Sequence, residues 1–138
     1  MDTTNLTIPN TFYRISIKAL ITNAEWKFLM IQEKNGLREL PWGGLDSGEN
    51  PQEWLKRELH EEMWLQATSI ADHPSYFFTR EEDGIRRANA MYDVEIEDFT
   101  FVPSEECVAL WFFTSQEAKE QKLYPNIATF VELYKVKA

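Results

Sequence analysis

The sequence predicts an α/β (α+β) protein in which helices pack on a mixed β-sheet. Aromatic residues make up 14% of the chain, and aromatic and β-branched residues favour strands. Strand-like runs occur in two groups, with one helix between them and further helices after the second group. This order of elements is typical of a sandwich of sheet and helices.

The first group of strands lies in the N-terminal third of the chain. Residues 12–22 alternate and are rich in Ile, and residues 26–33 form a second apolar run, so we expect a strand in each. A short extended segment follows over residues 37–42. Residues 43–50 hold three of the five glycines of the protein, which predicts a loop.

The second group of strands follows the helix described below. Two extended runs, residues 74–82 and 86–98, flank Asp83-Gly84, a dipeptide typical of a tight hairpin turn. Residues 107–113 form a last apolar strand.

Two helices are expected at the C-terminal end. Ser115 is the predicted N-cap of a short one. A final helix is predicted after Pro125, because apolar side chains recur there at helical spacing. These side chains are Ile127, Phe130, Val131 and Tyr134.

Length and charge limit the classes of function. The chain has 138 residues, which predicts a single domain over residues 1–138. Its net charge of −9 argues against binding along a nucleic-acid backbone, which needs a basic surface. The polar residues 1–10 and the absence of a long apolar run predict a cytoplasmic protein without a signal peptide or membrane helix. The single cysteine, Cys107, excludes an internal disulfide and a cysteine-based zinc site.

The helix between the two groups carries the most informative pattern. Asn50 is the expected N-cap and Pro51 the first helical residue, and the helix is predicted to continue to about Leu65. At about 100° per residue, three glutamates share one narrow arc of this helix. They are Glu58, Glu61 and Glu62, and the neighbouring arc carries an apolar stripe of Leu55, Leu59 and Met63.

Three carboxylates on one arc are unfavourable without a counter-charge. Each like-charge pair at this spacing costs a few tenths of a kcal/mol, and the helix dipole disfavours anions in the last turn. Hard divalent cations reverse this balance, since Mg²⁺ binds carboxylates together with water and phosphate oxygens. The simpler interpretation, a solvated acidic face, remains open on the glutamates alone.

The residues around this helix resemble the Nudix box, GX5EX7REUXEEXGU, in which U is aliphatic. Gly43 is the first glycine and Glu49 follows at the correct spacing. Arg57-Glu58-Leu59 and Glu61-Glu62 supply the central motif, and Leu65 is the final aliphatic residue. Trp64 replaces the last glycine of the box. Because Trp would be strained at a positive φ, we expect the helix to run on or to leave by another turn.

The resemblance implies a Nudix-like α/β/α sandwich and hydrolysis of a nucleoside diphosphate linked to another moiety, X. It implies Mg²⁺ or Mn²⁺ as the cofactor and a small nucleotide as the partner, and it leaves a homodimer open. The metal ligands would be Gly43, through its backbone carbonyl, and Glu58, Glu61 and Glu62. Arg57 would orient the glutamates.

Further site residues are expected outside the central motif. Glu105, or Glu106 beside it, matches a loop position where relatives often carry a metal ligand or general base. Trp42 offers an aromatic face to a nucleobase. Gly44 and Glu49 complete the predicted substrate-binding set.

Three other functions are weighed against hydrolysis. A catalytically weak nucleotide-binding or sensor module is suggested by Trp64. An isoprenoid diphosphate isomerase would need a cysteine facing a glutamate, whereas Cys107 is expected to be a buried core residue. An RNA-end hydrolase is disfavoured by the net charge.

Overall fold

Two groups of strands, a helix between them and two helices at the end follow one another along the chain, much as the sequence predicts. The computed structural model describes residues 12–98, 101–105 and 107–136. The strands are β1 (Arg14–Leu20), β2 (Phe28–Gln32), β3 (Arg38–Glu39), β4 (Trp42–Gly44), β5 (Ala67–Ile70), β6 (Tyr76–Glu82), β7 (Ile85–Ile96) and β8 (Ala109–Phe113). The helices are α1 (Pro51–Met63), α2 (Ser115–Lys119) and α3 (Pro125–Leu133).

The strands form two sheets. The larger has the order β4-β1-β7-β5, with β6 also paired to β7. In this sheet β1 runs parallel to β7 and antiparallel to β4, so the sheet is mixed, as predicted. The smaller sheet, β3-β2-β8, is antiparallel.

Helices cover these sheets through two hydrophobic cores. Successive strand side chains point to opposite faces, so Ile17 and Ala19 of β1 enter one core and Leu20 enters the other. The predicted stripe of α1 lies in the first core: Leu55, Leu59 and Met63. The second core contains Ile127, Phe130 and Val131 of α3. The predicted α/β/α sandwich is therefore confirmed.

The start of α1 is the one predicted, but its end is not. Asn50 caps the helix by accepting the backbone N–H of Glu53 at 2.9 Å, and Pro51 is the first helical residue. The expectation that the helix runs on or turns differently is wrong: it ends at Met63, and Trp64 adopts the left-handed conformation with φ 60° and ψ 21°. The Trp64 N–H donates to the His60 carbonyl at 2.9 Å.

Burial of the next residue explains why a tryptophan tolerates this conformation. Leu65 is fully buried in the first core, and its N–H donates to the Leu59 carbonyl at 3.2 Å. Burying a leucine side chain contributes about 1.5–3 kcal/mol, whereas a left-handed non-glycine residue costs about 1–2 kcal/mol. The gain at Leu65 therefore offsets the strain at Trp64.

Other boundaries depart from the predictions for local reasons. The expected loop over residues 43–50 begins later, because Gly43 and Gly44 pair with β1 as the end of β4. The short strand β5 was not predicted, since its four residues show no alternation. Thr114, and not Ser115, caps α2: its Oγ1 accepts the Glu117 N–H at 3.0 Å, and Glu117 accepts the Thr114 N–H at 3.0 Å.

The predicted hairpin turn is confirmed. Asp83 and Gly84 both have positive φ, 51° and 77°, and they join β6 to β7. The last predicted helix is also present, although Tyr134 lies just beyond its end. None of the helices in the described residues combines the length and apolarity that crossing a bilayer requires.

A buried ion pair joins the two sheets. Lys18 of β1 is fully buried, and its Nζ lies 3.0 Å from Oε1 of Glu39 in β3. Glu39 also accepts the backbone N–H of Leu40 at 3.0 Å. Burial lowers the pKa of Lys18 and raises the pKa of Glu39, while the attraction between the two groups opposes both shifts. The pair fixes β3 against β1 and thereby positions β4, which follows β3.

Candidate functional site

A cavity of about 320 Å³ lies against α1. Carboxylate side chains and exposed backbone meet on its wall. Its polar lining consists of Glu33, Gly43, Gly44, Glu58, Glu62 and Cys107, and the rest of the lining is Ile31, Pro41, Trp54 and the apolar stripe of α1.

Helix α1 directs two of the predicted glutamates into the cavity. Glu58 and Glu62 are four residues apart, so they lie on the same face one turn apart. Both are half-buried, because they border the stripe that anchors α1 in the first core. The structure thus brings these two carboxylates to one wall.

The glycine pair brings backbone to the lining of the same cavity. Gly43 and Gly44 lie opposite Ile17 and Ser16 of β1. A Cβ at Gly43 would overlap the indole of Trp54, and one at Gly44 would overlap the guanidinium of Arg14. The buried indole makes glycine necessary at residue 43, whereas the Arg14 side chain is flexible and could move away from a Cβ at residue 44; both glycines line the same cavity as the two glutamates.

Arg57 of α1 lies between a glutamate of the loop that precedes the helix and a glutamate on the exposed face of the helix. Its guanidinium lies 3.6 Å from Glu49 and 3.9 Å from Glu61. Glu49 in turn accepts the backbone N–H of Asp46 at 2.8 Å. This chain of contacts places Arg57 between two predicted site residues, consistent with a positioning role.

The remaining predicted site residues either do not line the cavity or have side chains that the structure does not describe. Glu61 is exposed and does not line the cavity. The Glu105 side chain is 92% exposed, lies 3.9 Å from Lys34 and does not line the cavity either. Trp42 belongs to β4, but its side chain lies outside the description, as does Glu106.

Glu33 is a cavity residue that the sequence reasoning missed. It follows β2, and its Oε2 accepts the Tyr124 hydroxyl at 2.6 Å. Tyr124 is itself held by Asn35, whose Nδ2 donates to the hydroxyl at 3.1 Å. The sequence could have predicted it from strand alternation, because Glu33 is two residues beyond the buried strand residue Ile31 and so shares its face.

Cys107 was predicted to be a buried strand residue. It is 1% exposed, as expected, but it precedes β8 and lines the cavity. Burial raises the pKa of its thiol to about 11. The thiol is therefore protonated near neutral pH, which makes it a poor nucleophile and metal ligand.

The donor atoms of the cavity suit a hard divalent cation. Carboxylate oxygens from Glu58 and Glu62 face the cavity beside the Gly43 backbone. No three His, Cys, Asp or Glu side chains of the described residues converge closely enough to bind an ion by themselves. Mg²⁺ does not require that, since it is usually bound through one or two carboxylates with water and substrate phosphates.

Comparisons with known proteins bear on the family and the fold of the chain. A sequence model described as NUDIX domain matches residues 12–134. The comparison with curated proteins found no match.

Solved structures show the same fold at low sequence identity. The Escherichia coli ORF135 protein is 22% identical, with a TM-score of 0.75 and 91% of each chain covered. A MutT NUDIX hydrolase from Burkholderia pseudomallei is 19% identical, with a TM-score of 0.74, and the match covers 91% of this chain and 100% of that one. A Caenorhabditis elegans Ap4A hydrolase is 17% identical, with a TM-score of 0.66 and coverage of 86% and 93%.

The family assignment rests on the domain match, while the structural similarities bear on the fold. Residues 12–134 include every described element, from β1 to α3. Nudix hydrolases act on small nucleotide substrates and generally use divalent metals. Because the domain match spans nearly the whole chain, this chain belongs to the Nudix hydrolase family.

Proposed function

We propose that the protein hydrolyses a phosphoanhydride bond in a nucleoside diphosphate linked to a further group, X. Nucleoside triphosphates, dinucleoside polyphosphates and nucleotide sugars are substrates of this type. The observation that carries the proposal is that Glu58 and Glu62 share a cavity with the Gly43-Gly44 backbone. Membership of the Nudix family supports the same reaction class.

The reaction is water attack on phosphorus. It needs neutralised phosphoryl oxygens and a water in line with the leaving oxygen. Mg²⁺ or Mn²⁺ in the cavity would supply the positive charge and lower the pKa of a bound water. The proposed ligands are the Gly43 carbonyl and the carboxylates of Glu58, Glu61 and Glu62.

The chain's own residues have three proposed tasks. A carboxylate, either one of the three glutamates of α1 or Glu105, accepts the proton of the attacking water. Arg57 positions Glu49 and Glu61 through the contacts described above. Trp42, Gly44 and Glu49 are the proposed contacts to the substrate. A cytoplasmic location and a homodimeric state remain predictions.

A nucleotide-binding module without catalysis is the second candidate. Trp64, in place of the box glycine, is the observation that favours it. However, its left-handed turn leaves Glu62 in the cavity lining, so the substitution removes no acidic group from the site. Hydrolysis is therefore the better-supported function.

Substitution on α1 tests the proposal. Purified protein is incubated with a panel of nucleotides and Mg²⁺ or Mn²⁺, and the products are separated by chromatography. We expect Glu62→Gln to lower kcat/KM by at least about a hundredfold. Glu53→Gln is the matched control, because Glu53 is an exposed glutamate in the first turn of the same helix.

The outcomes separate the two candidates. Equal rates for Glu62→Gln and the parent would refute the role of Glu62. Tight binding of a nucleotide that is recovered intact after long incubation with Mn²⁺ would instead establish the sensor function.

A further inference from the structure

Three arginines lie side by side on one face of the larger sheet. Arg14 of β1 is directly opposite Arg87 of β7, and Arg87 is directly opposite Arg80 of β6. Opposite residues of paired strands project from the same face, where like charges repel each other. Arg87 is therefore flanked by a cation on each side.

The two outer arginines have partners of their own. Arg14 lies 3.0 Å from Asp46, in a surface pair whose side chains are 48% and 75% exposed. Nη1 of Arg80 donates to the Thr129 hydroxyl of α3 at 2.9 Å. Arg87, between them, is half-buried and forms no hydrogen bond or ion pair with any residue that the structure describes. A half-buried guanidinium in this setting favours an anion as its partner.

Two buried polar atoms without partners lie in the next row of the same face. Ser16 of β1 is opposite Asn89 of β7, and each is two residues along its strand from an arginine of the first row. Ser16 is 1% exposed and Asn89 is fully buried. Within the described part of the chain, the Ser16 hydroxyl and Nδ2 of Asn89 have no hydrogen-bond partner. Burial of unpaired polar groups is unfavourable, so both favour a ligand that accepts hydrogen bonds.

Helix α3 begins beside Asn89 and adds positive potential there. Nδ2 of Asn126, in its first turn, donates to Oδ1 of Asn89 at 3.4 Å, which leaves the Asn89 amide nitrogen as the unused donor. The first turn of α3 contains no acidic residue, and the side chain of its N-cap, Tyr124, makes no capping hydrogen bond. Helix N-termini of this kind favour anions.

These groups together are suited to an oxyanion. Guanidinium groups bind phosphate oxygens in a planar fork, and amide and hydroxyl groups donate to the same oxygens. We propose that Arg14, Arg87, Ser16 and Asn89 form a subsite for a phosphate group. The arginines are more exposed than the two buried donors, so the anion enters from their side and the long side chains move to admit it. Arg14 also lies against Gly44, which lines the cavity of α1, so the subsite borders that cavity.

A phosphate titration without divalent ions tests the subsite. Backbone amide shifts are followed by NMR while inorganic phosphate replaces chloride at constant ionic strength in the presence of EDTA. We expect one saturable site with a Kd below about 10 mM, with shifts at β1, β7 and the start of α3.

Three variants complete the test. Arg87→Gln and Asn89→Leu should each weaken phosphate binding at least about fivefold. Arg86→Gln is the matched control, because Arg86 is the adjacent residue on the opposite face of β7, where it lies 3.3 Å from Glu81, and its loss changes the net charge equally. This control should leave the Kd unchanged.

Urea unfolding without phosphate separates binding from a structural role. Arg87→Gln should be at least as stable as the parent protein, because it removes a charge that lies between two like charges. Adenosine 5′-monophosphate then identifies the source of the anion. Tighter binding than that of inorganic phosphate, with the same dependence on Arg87, supports a phosphate of the nucleotide, and binding that is no tighter supports the free ion.

Three results would overturn the proposal. They are the absence of saturable phosphate binding, equal weakening by Arg86→Gln, and a loss of stability in Arg87→Gln without phosphate. The readouts involve neither a metal ion nor hydrolysis, so they do not depend on the catalytic role of Glu62.

Discussion

Replacing Trp64 by glycine should not destabilise the protein, although the substitution removes a large side chain. Trp64 has φ 60°, and a left-handed non-glycine residue costs about 1–2 kcal/mol. Glycine avoids this cost but loses about 0.5–1 kcal/mol through its greater freedom in the unfolded chain. The edge-to-face contact with His60, at 5.2 Å between ring centroids, is also lost, and it is worth about 0.5 kcal/mol at this exposed position. The three terms nearly cancel.

A comparison with the alanine variant isolates the contribution of backbone strain to the free energy of unfolding. Trp64→Ala loses the same ring contact but keeps the left-handed strain. We therefore expect Trp64→Gly to be more stable than Trp64→Ala by about 1 kcal/mol. Within a helix the order of stability is reversed. At the exposed helical residue Lys56, we expect Lys56→Ala to be more stable than Lys56→Gly by about 1 kcal/mol.

Urea unfolding of the four variants measures these differences, provided that they share one m-value. If Trp64→Ala were as stable as Trp64→Gly, residue 64 would not be in the left-handed conformation. The account of the α1 exit, in which burial of Leu65 offsets the strain, would then be wrong.

Three further predictions concern the interior. Gly43→Ala should destabilise the fold by about 1–3 kcal/mol in urea unfolding, because its Cβ overlaps the indole of Trp54, and the same substitution should cost less when it is made in a Trp54→Leu background. Lys18→Met should cost about 3–5 kcal/mol, because it leaves Glu39 buried without its partner, whereas Lys18→Met with Glu39→Leu should cost far less in the same assay. The raised pKa of Cys107 keeps its thiol protonated in the native state, so alkylation should have its midpoint at about pH 11 in the native protein and near the ordinary 9.0 in urea. Between these values the thiol of the unfolded chain loses its proton before that of the native protein, so this group makes the free energy of unfolding fall as the pH rises, and Cys107→Ala should make the fall smaller.

Features set by neighbouring residues could be predicted from the sequence. The start of α1 depends on Asn50 and Pro51, which act within one turn. The buried stripe of α1 follows from its spacing of four residues, and the β6–β7 turn follows from Asp83-Gly84. In each case the physical cause lies within a few residues of its effect.

Features set by distant contacts could not be predicted. Trp64 turns left-handed because the buried Leu65 packs with strands from the other half of the chain. Strand β5 is defined by its pairing with β7, about 25 residues away by the register of Ser69 and Glu95. Glu105 and Lys34 meet only through the fold. Of the acidic residues proposed from the sequence, α1 directs only Glu58 and Glu62 into the cavity lining.

Under the proposed function, the acidity of the α1 cavity should make substrate and cation binding interdependent. Glu33, Glu58 and Glu62 line it, and none of its described lining residues is basic. Lys18 is paired with Glu39, and Arg57 lies between Glu49 and Glu61. Like charges near a protein surface repel, so these carboxylates would oppose the binding of a polyphosphate alone. The same carboxylates would attract a divalent ion, and a bound ion would offset their repulsion of the phosphate. Nucleotide affinity should therefore rise with divalent-ion concentration even in Glu62→Gln, where Glu33 and Glu58 still face the cavity, and this increase separates binding from hydrolysis.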